Sequence, residues 1–162
     1  MRFWQRSTRS SFEIVVDTNI LFSAVLYPDG KPRRLFTIAG EKGVTINVLD
    51  YSLEELMGVF RRKGLAFGPV RSFIDNCQTV IYQKIGDISN EEARTARECV
   101  SDEKDRPIFA YVYRRIMSGI DCFLVTGDKG LLTAAVKASL MGRAYSAGDF
   151  IQMWDDFRFI AR

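Results

Sequence analysis

The feature that most constrains this chain is an alternation. Short apolar, β-branched runs recur between longer stretches with helical periodicity. Phe12–Val16, Val44–Val48, Thr79–Tyr82 and Cys122–Val125 have strand length and composition, and Arg143–Ser146 offers a shorter fifth. Between them lie helical stretches: Ile20–Leu26, stopped by Pro28-Asp29-Gly30, then Pro32 to just before Gly43. From Ser52, the residues Leu53, Leu56, Met57 and Phe60 fall at i, i+3, i+4 and i+7, an amphipathic helix closed by Lys63-Gly64. Val70–Cys77 follows, and Ser89 with Glu92 forms a capping-box signal for a helix to about Val100. Arg106–Met117, Leu131–Leu140 and Asp149–Trp154 complete the pattern. Strands alternating with helices predict an α/β fold: a three-layer α/β/α sandwich whose central, mostly parallel sheet has four to five strands.

Its 162 residues suit one domain, expected over 12–155, with a loosely held Ser- and Arg-rich extension over 1–11 and a C-terminal tail over 156–162. A composition 47% hydrophobic and 27% charged is that of a soluble globular protein, and no apolar run reaches the ~18 residues of a membrane span. The basic start lacks the apolar stretch of a secretory signal. Cys77, Cys99 and Cys122 are odd in number and widely spaced, which suits buried thiols rather than zinc or a disulfide framework. Together these features predict a cytoplasmic protein. The net charge of +3 permits a polyanionic partner without requiring one. Basic clusters at Lys31–Arg34, Arg61–Lys63 and Arg114-Arg115 read equally well as solvated helix faces or helix C-termini.

One absence narrows the chemistry. The chain contains no histidine, which excludes Ser-His-Asp and Cys-His catalysis and histidine-ligated zinc. Hydrolysis here would have to run on carboxylates and a hard metal ion. Both clearest strands lead into an aspartate, Asp17 after Val16 and Asp128 shortly after Val125, and parallel sheets bind ligands beyond the carboxyl ends of their strands. Asp105, ahead of the helix at Arg106, and Glu54 or Glu55, early in the helix after the second strand, can reach the same edge. Capping explains many of these acids separately: Asp102 and Asp105 suit N-caps, Glu54 and Glu55 suit a first helical turn, and Gly127-Asp128 suits a turn.

Four segments in order resemble the PIN-domain family, which includes ribonuclease toxins of toxin–antitoxin modules. They are Ile14–Leu21 (IVVDTNIL), Leu53–Leu56 with Val59–Arg62, Asp102–Ala110 (DEKDRPIFA) and Phe123–Leu131 (FLVTGDKGL). The likeness runs from Ile14 to about Met153, and Tyr27–Arg34 looks like the subgroup of this family assigned as toxins. The resemblance implies that Asp17, Glu55, Asp105 and Asp128 are catalytic and metal-ligating, with Asn19, Thr126 and Asp102 supporting them. The family's second acid precedes a leucine, which favours Glu55. A helical wheel instead places Glu54 about 100° and Glu55 about 200° from Leu53, which favours Glu54. Many members carry a further acid two residues past the fourth; Gly130 stands there, which puts a second metal site in doubt.

What the resemblance implies is a Mg²⁺- or Mn²⁺-dependent endoribonuclease using one or two ions, the metals that an all-oxygen donor set selects. Arg33, Arg34, Arg61, Arg62 and Lys129 would contact the RNA backbone. The expected partners are RNA, a small antitoxin and a second copy of the chain, the Phe157–Ile160 tail offering apolar surface for dimerisation. Rival readings are a non-catalytic RNA-binding or scaffold protein and a haloacid-dehalogenase-like phosphatase. The latter needs an aspartate where Asn19 stands. No glycine-rich phosphate loop follows any strand, which counts against a nucleotide binder.

Overall fold

The computed structural model describes residues 12–160, with side chains as far as residue 156; the expected extension over 1–11 lies outside the described residues. The chain runs β1 (Glu13–Val16), α1 (Thr18–Leu26), α2 (Lys31–Lys42), β2 (Thr45–Leu49), α3 (Asp50–Arg62), α4 (Gly68–Asp75), β3 (Val80–Gln83) and α5 (Asn90–Cys99). It continues through α6 (Arg106–Met117), β4 (Cys122–Val125), α7 (Ala134–Ser139), β5 (Ala144–Tyr145) and α8 (Ala147–Ile160). The five strands form one sheet in the order β3-β2-β1-β4-β5, with every pairing parallel.

The strand runs are continuously apolar because helices cover both faces. Alternate residues of β1 enter different cores. Ile14 and Val16 pack with Leu21, Leu35, Leu56 and Phe150, whereas Val15 packs with Phe109, Val112, Leu124 and Leu131. The sheet is thus the middle layer of a three-layer α/β/α sandwich, as the alternation predicts. Ile14, Val15 and Val16 are fully buried, and burial of each side chain stabilises the fold by about 1.5–3 kcal/mol.

Several boundaries differ from the sequence expectation for local reasons. α1 begins at Thr18 rather than Ile20, because the Asp17 backbone carbonyl accepts from the Ile20 and Leu21 amides and starts the helix. The Leu131–Leu140 helix is broken into a 3-10 turn, Lys129–Leu131, and α7. Asp128 and Thr133 each accept from a backbone N–H two or three residues on, and such local bonds compete with helix continuation. α8 starts at Ala147, with Ser146 Oγ accepting from the Asp149 amide, and runs through the expected tail boundary to Ile160. The side chains of Phe157–Ile160 lie outside the described residues, as does the apolar surface expected of them. The capping box at Ser89 and Glu92 forms as the sequence predicts. No helix among the described residues is long and apolar enough to cross a membrane.

Chain order reverses between β1 and β4, neighbours in the sheet that are far apart in sequence. The carboxyl edge at such a switch point is where an open parallel sheet leaves a crevice. Asp17 follows β1 there, and Thr126-Gly127-Asp128 follows β4.

Candidate active site

Asp17 leaves the end of β1 almost completely buried, 6% exposed. Its two carboxylate oxygens have separate neutral donors. Oδ1 accepts from the Thr18 amide at 2.6 Å, and Oδ2 accepts from the hydroxyl of fully buried Thr126 at 2.8 Å. The same Thr126 oxygen accepts the Asp128 amide at 3.0 Å, so one hydroxyl ties the first acid to the loop that carries the fourth. Asn19 makes a second tie, its Oδ1 accepting from the Gly127 amide at 2.9 Å. A Cβ on residue 127 would lie 3.2 Å from that oxygen, so glycine lets the loop approach α1.

Glu55 lies on α3, and the Thr18 hydroxyl donates to its Oε2 at 2.6 Å. Glu54 is exposed and lines no part of the cavity described next. Asp105 precedes α6 with helical backbone angles and forms no side-chain capping bond, so its carboxylate is not spent on the helix. Asp102 takes the capping role instead: it accepts from the Lys104 amide and begins the 3-10 turn that presents Asp105. Arg106 anchors that loop by donating to the Val100 and Ser101 carbonyls. Asp128 accepts from the Gly130 amide at 2.7 Å.

Asp17, Glu55, Asp105 and Asp128 line one cavity of about 250 Å³, together with Thr18 and Asn19. Its remaining wall is Phe22, Leu56, Val59 and Lys63. None of the four acids takes part in an ion pair among the described residues. Charge therefore accumulates. Burial holds the Asp17 carboxyl above its usual range, and the nearby Glu55 and Asp128 charges add to the effect against the Thr126 and Thr18 hydrogen bonds. Asp105 is pushed up to about 7 by burial first and then by its neighbour Asp128, with smaller contributions from Asp17 and Asp102. The Tyr51 phenol is raised as well, by burial and by the charges of Glu55 and Asp105. Among the described residues, no three acidic or thiol side chains close tightly enough to hold an ion as they stand. The donor set itself, carboxylate and hydroxyl oxygens without nitrogen or sulfur, matches Mg²⁺ or Mn²⁺.

The expected basic residues are placed differently. Arg33 turns inward: its guanidinium donates to the Ala24 and Val25 carbonyls at the end of α1 and lies 4.4 Å from the Phe73 ring centre. The structure therefore does not bring Arg33 to the cavity. Arg34, Arg61, Arg62 and Lys129 are exposed, and none of them lines it. A larger groove of about 710 Å³ lies between α2 and α4, lined by Arg33, Phe36, Phe73 and Cys77. It holds none of the four acids, so chemistry rather than volume identifies the candidate site. Sequence reasoning assigned neither Thr18 nor Lys63 to the site. Thr18, lying between two residues already singled out, carried a usable signal; Lys63 stood only in the Arg61–Lys63 basic cluster and at a helix end.

Comparison with known proteins agrees with this architecture. The crystal structure of PAE2754 from Pyrobaculum aerophilum superposes with a TM-score of 0.56 at 15% identity, covering 90% of this chain and 91% of that one. That of VapBC2 from Rickettsia felis, bound to a DNA fragment from their promoter, gives 0.54 at 14% identity, covering 75% and 92%. At such identities the likeness speaks for the fold alone. No curated protein matches the sequence. The family model of the PIN domain, whose members are generally nucleases, matches residues 13–130, a span holding all four acids and the loops that join them, and the chain belongs to the PIN-domain family.

Proposed function

We propose that this protein is a metal-dependent endoribonuclease that hydrolyses phosphodiester bonds of RNA, acting as the toxin of a toxin–antitoxin pair. The observation that carries the reading is the convergence of Asp17, Glu55, Asp105 and Asp128 on one cavity with no ion-paired cation. Capping does not account for it, since Asp105 and Glu55 cap nothing. These four acids would hold the ion. Bound there, Mg²⁺ or Mn²⁺ would supply Lewis acidity toward water and the scissile phosphate. The chain's own contribution is orientation. Thr126 fixes Asp17 and the Asp128 loop, Thr18 fixes Glu55, and the Asp102-capped turn presents Asp105. Gly130 offers an N–H to Asp128 where many relatives have an acid, which favours one ion over two.

The matching partner is a small antitoxin that presents a basic side chain to the carboxylates. The test of the enzymatic reading is cleavage of single-stranded RNA in Mn²⁺ by the wild type and by Asp17→Asn. Loss of cleavage in a folded variant is the expected result, and wild-type cleavage by that variant would sink the assignment.

A further inference from the structure

Four carboxylates repel a polyanion, so a phosphodiester chain needs cationic anchors beside the cleavage point. Two cavities meet at this place. The acid cavity of about 250 Å³ and a second of about 490 Å³ share Asn19 as a lining residue. Each has one cation in its lining. In the first it is Lys63, at the end of α3, with its ammonium 5.9 Å from the Phe22 ring centre. In the second it is Lys31, at the start of α2. Neither lysine forms an ion pair among the described residues, although carboxylates line both cavities. Both are exposed.

Lys31 lies close against Gly148 in the first turn of α8. A Cβ there would lie 3.1 Å from both Cδ and Nζ of Lys31, closer than side chains ordinarily pack. The lysine's end thus packs beside the α8 backbone, and both Lys31 and Gly148 line the second cavity. Asn19, which lines both cavities, holds the Gly127 amide, and Thr126 and Gly127 line the second beside it.

We infer that a single RNA strand crosses both cavities over Asn19, with Lys63 beside the acids and Lys31 in the adjoining cavity as phosphate-positioning residues. The inference rests on the nuclease reading for its substrate class, but it concerns binding. Two exposed lysines, one in each of two adjoining cavities, suit a flexible single strand better than a duplex.

The test is fluorescence anisotropy of a 5′-labelled oligouridylate against the full chain in EDTA, over a range of salt. Lys31→Ala and Lys63→Ala are each expected to weaken binding roughly fivefold and to lower the slope of log K against log salt by about 0.7, the single-strand value for one lost phosphate contact. Lys31→Arg and Lys63→Arg should keep the slope. Lys137→Ala, in α7 and lining neither cavity, serves as the control and should bind within about twofold of wild type. Alanine variants with wild-type slope overturn the inference, as does a wild type that binds no oligouridylate. Cleavage is scored separately. A wild type that cuts RNA with lysine-independent binding overturns the track and spares the nuclease, whereas one that binds through the two lysines without cutting overturns only the nuclease.

Discussion

Asp105→Asn is expected to make the metal-free protein more stable at pH 8 while removing its metal response. The side chain makes no capping hydrogen bond, so the isosteric amide forfeits no helix cap. What it removes is a carboxylate pushed from 3.8 to about 7 by burial and by Asp128. The sign follows from linkage. A folded value above the unfolded one favours the fold fully below pH 4, and that contribution is lost as pH rises through about 7. Unscreened, a displacement from 3.8 to about 7 corresponds to ~4 kcal/mol. The carboxylate touches solvent, and screening leaves on the order of 1 kcal/mol. For a domain of this size that is about 2–4 °C in Tm. Thermal denaturation in EDTA should therefore show Asp105→Asn melting above wild type at pH 8, and near it at pH 5, where Asp105 is protonated. Saturating Mn²⁺ at about 100 times its Kd should stabilise wild type at pH 8 by ~2.7 kcal/mol and the variant far less. An Asn variant that melts at or below wild type at both pH values, or that responds fully to Mn²⁺, would refute the electrostatic account of the site.

The choice between adjacent glutamates is equally testable: Glu55→Gln should lose RNA cleavage, and Glu54→Gln should stay within about twofold of wild type, since exposed substitutions usually change little. Thr126→Val, measured by urea unfolding, should cost about 1–3 kcal/mol because it strands a buried Asp17 oxygen and the Asp128 amide; Thr126→Ser, which keeps the hydroxyl, should recover most of that. At the other end of β1, burial pushes the Glu13 carboxyl up, but the bidentate Arg115 guanidinium, 2.7 and 3.0 Å away, overrides it and holds Glu13 below its usual range. That contribution is present above about pH 4.5 and lost as pH falls through the folded value. Arg115→Met should thus lower stability by about 1–2 kcal/mol at pH 7 and far less in acid-denaturation measurements near pH 3.

The fold was legible where burial is two-sided. Ile14, Val15 and Val16 face alternate cores, so β1 is uninterrupted in sequence and could belong only to a covered parallel sheet. The α7 region misled because Leu131, Val136 and Leu140 are all truly buried. Their spacing reports a core face, but Asp128 and Thr133 take the backbone bonds a continuous helix would need. At the site, the strand-end acids could be read directly, whereas the state of Asp105 could not. An aspartate before a helix ordinarily caps it, and only the helical backbone angles at 105, with Asp102 capping the preceding turn, free its carboxylate. The wheel favoured Glu54 because it measures distance from an apolar face. The Thr18 hydroxyl that donates to Glu55 comes from a different helix. Arg33 shows the converse: a basic cluster in sequence can hold a guanidinium committed to carbonyls and an aromatic ring.

The distribution of partners across the molecule explains how Asp17, Glu55 and Asp128 can be held in place without an ion-paired arginine among the described residues. Elsewhere arginines answer carboxylates: Arg114 with Glu92, Arg115 with Glu13, Arg143 with Asp121, Arg106 with Glu103. At the switch point, neutral donors do the holding: two threonine hydroxyls and the backbone amides of Thr18 and Gly130. A neutral donor fixes direction without cancelling charge, whereas an arginine would fix and cancel together. Burial and the neighbouring carboxylates raise Asp17 and Asp105, and no ion-paired arginine among the described residues opposes them. An arginine built into this cavity should lower both carboxyls and quieten the site electrically, with the same four acids still in place.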